Sequence, residues 1–86
     1  MNIFETVKAA VTVRQAAEHY GLKINRSGMI CCPFHDDRHP SLKLNEDYFY
    51  CFGCGTAGDV VDFTARLFDM SAYEAAQRLA VDFGLD

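Results

Sequence analysis

Four residues of this chain have the types and spacing of a metal site. Cys32-Pro33-Phe34-His35 is followed, after fifteen intervening residues, by Cys51-Phe52-Gly53-Cys54-Gly55. Thiolates and imidazoles are the ligands Zn²⁺ takes in tetrahedral array, and closed structural sites use sets such as three Cys and one His. Two residues between ligands let the chain make one tight knuckle, so that both side chains converge on one ion. Gly53 and Gly55 supply the backbone freedom such a turn needs, including positive φ without a Cβ clash. A lone C-x-x-C is shared with redox motifs, whereas two paired knuckles in one short chain are specific. The competing account, buried thiols beside a surface histidine, requires four matched positions by coincidence. With four protein ligands no position stays open for water or substrate. The expectation is therefore one structural Zn²⁺ held by Cys32, His35, Cys51 and Cys54, whose binding energy is folding energy.

The remaining Cys and His residues read differently. Cys31 competes with Cys32 for the first position, but its spacing to His35 is wrong for the knuckle and Pro33 directly follows Cys32. Cys31 is expected to be a small buried residue at a strand end. His39, before Pro40, is expected at the surface, and His19 in the last turn of a helix, where it suits the macrodipole.

The knuckles need elements to hold them apart and aim them. Thr12-Val13-Arg14-Gln15 fits a capping box, and predicts a helix burying Val13, Ala16, Ala17 and Tyr20 and stopping at Gly21. A shorter helix over 3–10 would turn Phe4 and Val7 inward. Leu22–Asn25 alternates apolar and polar residues, Arg26-Ser27-Gly28 reads as a turn into Met29-Ile30-Cys31, and 41–45 alternates again. Asn45-Glu46-Asp47 is a turn before Tyr48-Phe49-Tyr50-Cys51. Gly58-Asp59 should start a helix with Val60, Phe63 and Leu67 on one face. Ser71-Ala72-Tyr73-Glu74 is a second capping box, whose helix would bury Ala72, Ala75, Ala76, Leu79 and Phe83 and end at Gly84. The fold class this predicts is α+β: a zinc ribbon with a small antiparallel sheet, its core at about 22–57, flanked by N-terminal and C-terminal helices in a single domain over 1–86.

A chain of 86 residues hides only about 60% of its unfolded surface, and small domains often add a metal or disulfide staple. No apolar run reaches the ~18 residues of a membrane span, and the N-terminus has no signal-peptide pattern. The chain is expected to be cytoplasmic, where four cysteines argue for metal over disulfides. The formal net charge is −4, unevenly spread. Residues 1–43 carry six Lys/Arg against four Asp/Glu, and residues 44–86 carry two against eight.

The run Cys32-Pro33-Phe34-His35-Asp36-Asp37-Arg38-His39-Pro40-Ser41, then Tyr50-Cys51-Phe52-Gly53-Cys54-Gly55 and Gly58-Asp59-Val60-Val61-Asp62-Phe63, resembles the CHC2 zinc finger. This is the zinc-binding domain at the N-terminus of bacterial and phage DNA primases of the DnaG type. The resemblance covers about residues 12–84. It implies a zinc ribbon on a small sheet, the same four zinc ligands, and a sheet surface that offers basic and aromatic residues to a single-stranded DNA template. Arg38 stands where the family pattern has a basic residue before its Pro-Ser pair, while His39 departs from the more usual Thr. The family's catalytic domain and its acidic metal-binding carboxylates have no counterpart in these residues. The chain is thus expected to be a non-catalytic, primase-like module similar to short relatives on mobile elements. It has no nucleophile–base pair, phosphate loop or open metal site of its own.

Binding a single strand takes a positive groove and aromatic platforms. The candidate cations are Lys23, Arg26, Arg38 and Lys43, and the candidate stackers are Tyr48 and Tyr50, which share one strand face while Phe49 takes the other. Phe34, Phe49 and Phe52 are expected in the core. The expected partner is single-stranded DNA, bound weakly, beside a primase-like or helicase-like protein. The alternative is a protein–protein adaptor that docks a replication or mobile-element partner through acidic helices at 58–69 and 71–83, with Phe68, Met70 or Tyr73 as anchors unless these simply pack between helices.

Overall fold

The computed structural model describes residues 2–35 and 39–85. Its elements run α1 (Ile3–Ala10), α2 (Val13–His19), β1 (Met29–Cys31), β2 (Pro40–Leu44), β3 (Phe49–Cys51), β4 (Ala57–Gly58), α3 (Val60–Phe68) and α4 (Ala72–Asp82). The class is α+β, with the four strands forming an antiparallel meander in the order β1-β2-β3-β4.

Each helix starts where a side chain satisfies its free N–H groups. Asn2 Oδ1 accepts from the Glu5 N–H at 2.9 Å to open α1. Both predicted capping boxes form, at Thr12/Gln15 and Ser71/Glu74. Asp59 and Asp62 build a third at the start of α3, with bonds of 2.9 and 3.0 Å. No helix among the described residues is long and apolar enough to cross a membrane.

The sheet is two-faced because side chains alternate along a strand. The register stacks Ile30, Leu42 and Cys51 in one row and Leu44 and Phe49 in another, all of them buried. Under them lie Val7, Val13, Ala16, Ala17, Phe63, Ala75, Ala76 and Leu79, none with any exposed surface. Three rings join the layers: Phe34–Phe49, Phe34–Phe63 and Phe49–Phe63, with centroids 5.7, 5.8 and 5.4 Å apart. Such tilted, edge-on contacts are the favoured aromatic geometry. Through Phe34, the first knuckle is anchored in the core.

Several expectations need correction. Leu22–Asn25 is not a strand. Leu22 and Ile24 are apolar anchors packed on the core, and Asn25 Oδ1 accepts from the N–H groups of Ser27 and Met29 to close the turn into β1. Cys31 is exposed, because alternation with buried Ile30 turns it to the opposite face. Phe52 is 70% exposed, for the same reason: Phe49 and Cys51 point inward, so Tyr50 and Phe52 point out. Ala72 is exposed, because the buried face of α4 begins a turn later, at Ala75. Phe4, Tyr20, Leu67 and Phe83 are only half-buried.

Candidate functional site

The four residues of the two knuckles meet in space. One ligand atom from each of Cys32, His35, Cys51 and Cys54 lies within 4.8 Å of all the others. Ligands at the ~2.0–2.3 Å Zn–N and Zn–S distances of a tetrahedral site are about 3.4–3.8 Å apart. A contraction of at most about an ångström thus closes the group around one ion.

Local backbone geometry makes this convergence possible. Gly55 sits at φ +77°, and its N–H bonds the Cys51 carbonyl at 2.8 Å, closing the second knuckle. Gly53 serves differently from the expectation, because its φ is not positive. A Cβ there would lie 3.2 Å from the His35 ring and from Ser41 Oγ, so its glycine lets one knuckle pack flat against the imidazole of the other.

The donor chemistry fits a divalent cation. Burial pushes the Cys32 thiol up to about 12, although the Phe34 N–H favours its thiolate. Burial opposes ionisation of Cys51 too, yet the Ser41 hydroxyl, 3.5 Å from its sulfur, and the Cys54 N–H prevail and bring it to about 7. Cys54 is exposed and lowered by the hydroxyl and N–H of Thr56, with the hydroxyl 3.1 Å away. Donors aimed at clustered sulfurs stabilise thiolates that would otherwise repel one another, and a bound cation relieves that repulsion. The four residues are arranged to bind one structural zinc ion.

The sheet face away from the core is open. Met29, Lys43, Tyr50 and Ala57 form one row across all four strands. Tyr50 is 39% exposed, and its ring meets Phe52 edge-on at 5.0 Å. Tyr48, just before β3, is 53% exposed. Of the expected nucleic-acid residues, the fold brings Lys43 and Tyr50 together directly. Lys23 and Arg26 are exposed on the segment between α2 and β1, off the sheet rows. Arg38 lies outside the described residues. Phe52 is the member of this face that sequence reasoning missed, and the alternation that paired Tyr48 with Tyr50 was the available signal.

The acidic helices are less open than the adaptor reading requires. Phe68 packs against Tyr20 at 4.9 Å with the Arg78 guanidinium 4.1 Å from its ring. Met70 rests against the core. Of the three anchors only Tyr73 is largely exposed, 6.4 Å from Phe4.

The family model described as the CHC2 zinc finger matches residues 1–86. The DNA primase of Rickettsia conorii is 36% identical over 89 residues, covering 100% of this chain and 13% of that protein. The DNA primase of Helicobacter pylori strain J99 is 33% identical over 87 residues, covering 99% of this chain and 14% of that protein. The crystal structure of the Aquifex aeolicus primase, comprising its zinc-binding and RNA polymerase domains, superposes with a TM-score of 0.81 at 31% identity, over 98% of this chain and 22% of that one. The chain thus spans roughly an eighth to a seventh of the curated relatives' length.

Proposed function

This chain belongs to the CHC2 zinc finger family, and from that premise we propose that it is a non-catalytic, primase-like module that holds single-stranded DNA on the open face of its sheet. The carrying observation is the placement of Lys43, Tyr50 and exposed Phe52 side by side on a face the core leaves uncovered. Flat rings accept any base by stacking, worth about 1–3 kcal/mol per base, and cations follow the backbone. Zinc contributes indirectly: Cys51, between Tyr50 and Phe52, is a ligand, so the ion would fix the end of β3 and the turn after it, which carry the two rings. Tyr48, exposed just before β3, extends the stacking surface, and Lys23, Arg26 and Arg38 are further candidate phosphate contacts by their charge. The acidic remainder of the chain limits affinity, and the module acts beside a catalytic or replication partner.

The test is fluorescence anisotropy of a labelled single-stranded oligonucleotide titrated with zinc-loaded protein at several salt concentrations. About four phosphate contacts predict a log–log salt slope near −3, at roughly −0.7 per contact. Saturable binding with such a slope supports the reading. Absence of binding at low salt removes it and leaves a protein partner as the ligand to seek.

A further inference from the structure

A groove of about 430 Å³ lies between the start of α2 and the end of β2, lined by Thr12, Arg14, Gln15, Lys43, Asn45 and Glu46 among others. Arg14 was singled out by nothing in the motifs beyond its place in a capping box. The structure gives it a neighbour of like charge. Gly28 is at φ +75°, and a Cβ there would collide with Arg14 Nη2 and lie 3.4 Å from Lys43 Nζ. The two cationic ends therefore flank the same small space over the Ser27-Gly28 turn. Lys43 Nζ donates to the Ser27 carbonyl. Among the described residues neither cation has a carboxylate in ion-pair contact. Among the described residues the one carboxylate lining the groove is that of Glu46, which is exposed. Like charges held together without a counter-charge repel, and an anion between them relieves that cost.

Lys43 also belongs to the open face, where its row places it beside Tyr50. Groove and aromatic platform are thus continuous through one residue. We propose that the groove is a phosphate subsite for single-stranded nucleic acid, in which Arg14 and Lys43 hold the backbone of a strand whose bases rest on Tyr50 and Phe52. This rests on the reading of the open face given above and adds to it a direction, with the strand leaving the sheet toward α2.

The experiment compares zinc-loaded wild type, Arg14→Gln, Arg14→Lys and Phe52→Ala in the same anisotropy assay, with zinc content and circular dichroism as fold controls. Arg14 is exposed, so its variants should fold. Arg14→Gln should weaken binding and flatten the salt slope by about 0.7, the loss of one phosphate contact. Arg14→Lys should restore the slope, because a point charge suffices for that term. Phe52→Ala should weaken binding with the slope unchanged. If wild type binds and Phe52→Ala weakens it while Arg14→Gln leaves the slope where it was, the groove proposal is wrong and the platform reading stands. Failure of wild type to bind at low salt overturns the platform reading and the groove with it.

Discussion

The helical layer and the knuckle end of the sheet are held by different forces. In the first, Phe63, Leu79, Ala75 and Ala76 have no exposed surface, and three helices carry capping boxes. In the second, Phe52 and Cys54 are exposed, β3 and β4 are three and two residues long, and the turns are held by glycines. Burying an apolar side chain contributes about 1.5–3 kcal/mol, and the helical layer has many such residues. Beyond Cys32, Phe49 and Cys51, the knuckle end has few, and a bound metal would supply the rest of its order. Phe34 links the two: its backbone belongs to the first knuckle and its ring packs on Phe49 and Phe63. The comparison suggests a division of labour, in which packing supplies a fixed platform and zinc supplies an exposed edge that stays ordered while remaining accessible.

The strongest way to break this comparison is to take the metal away. Structural zinc in finger peptides is worth an apparent 10–16 kcal/mol or about that, against roughly 5–15 kcal/mol for a whole domain. Chelation, or Cys51→Ala, should therefore collapse the tertiary fold, releasing Phe34 from the core as the knuckle opens. Near-UV circular dichroism reads this through the tyrosines. A spectrum unchanged after verified zinc removal would mean that packing alone holds the sheet.

Next in size is the junction of the two regions. Phe63→Ala removes a fully buried ring that touches both Phe34 and Phe49, and should cost about 3–5 kcal/mol in denaturant unfolding. Because Phe34 is part of the first knuckle, zinc affinity should fall as well. A destabilised variant with unchanged zinc affinity would show that the regions are independent.

Within the helical layer, Asp59→Ala deletes the α3 cap and a contact of 3.2 Å with Lys8. The cap should account for about 0.5–2 kcal/mol and the partly exposed ion pair for about 0–1. Thermal unfolding of Asp59→Ala beside Lys8→Ala separates the two contributions.

Tyr20→Phe is smaller still. The Tyr20 hydroxyl donates to Asp82 Oδ2 at 2.8 Å, tying the end of α2 to α4, and Arg78 Nε meets the same oxygen at 3.3 Å. Loss of this bond should cost about 0.5–1.5 kcal/mol. Burial first, then the bond to Asp82, raises the phenol from 10.0 to about 12. A raised pKa means that the folded state favours the protonated phenol. Its contribution is complete below pH 10 and disappears as pH climbs through about 12. Wild type should lose stability over that window relative to Tyr20→Phe, and parallel curves would contradict the assignment.

These effects also mark what the sequence carried. The ligand set was legible because coordination chemistry dictates spacing, and the four ligand atoms do converge. Two capping boxes were legible because a local hydrogen-bond pattern specifies them. β4 was not, since Ala57 and Gly58 offer no alternation to read. Leu22–Asn25 looked like a strand because two apolar anchors happen to alternate, whereas a strand needs a paired neighbour that only the tertiary fold reveals. Arg14 carried no local signal at all, because Gly28 and Lys43 reach it only through folding. Phe52 is the instructive error: aromatic type argued for the core, but once Cys51 must face inward to reach its metal, its neighbour has to face out.

The smallest expected effect on stability is also at Phe52, and it separates the two regions most sharply. An exposed ring outside the packed layer contributes little to folding, so Phe52→Ala should leave the unfolding midpoint within about 0.5 kcal/mol of wild type. The same change removes half of the Tyr50–Phe52 edge-on pair and should weaken single-strand binding by about 1–3 kcal/mol, one stacked base. Denaturation and anisotropy on one preparation give both numbers. A large loss of stability would mean that the open face is structural in its own right, and the division between a packed layer that holds and a metal-fixed edge that binds would fail. Unchanged stability with weakened binding would assign the cost of the exposed aromatic to the ligand, as the proposed platform requires.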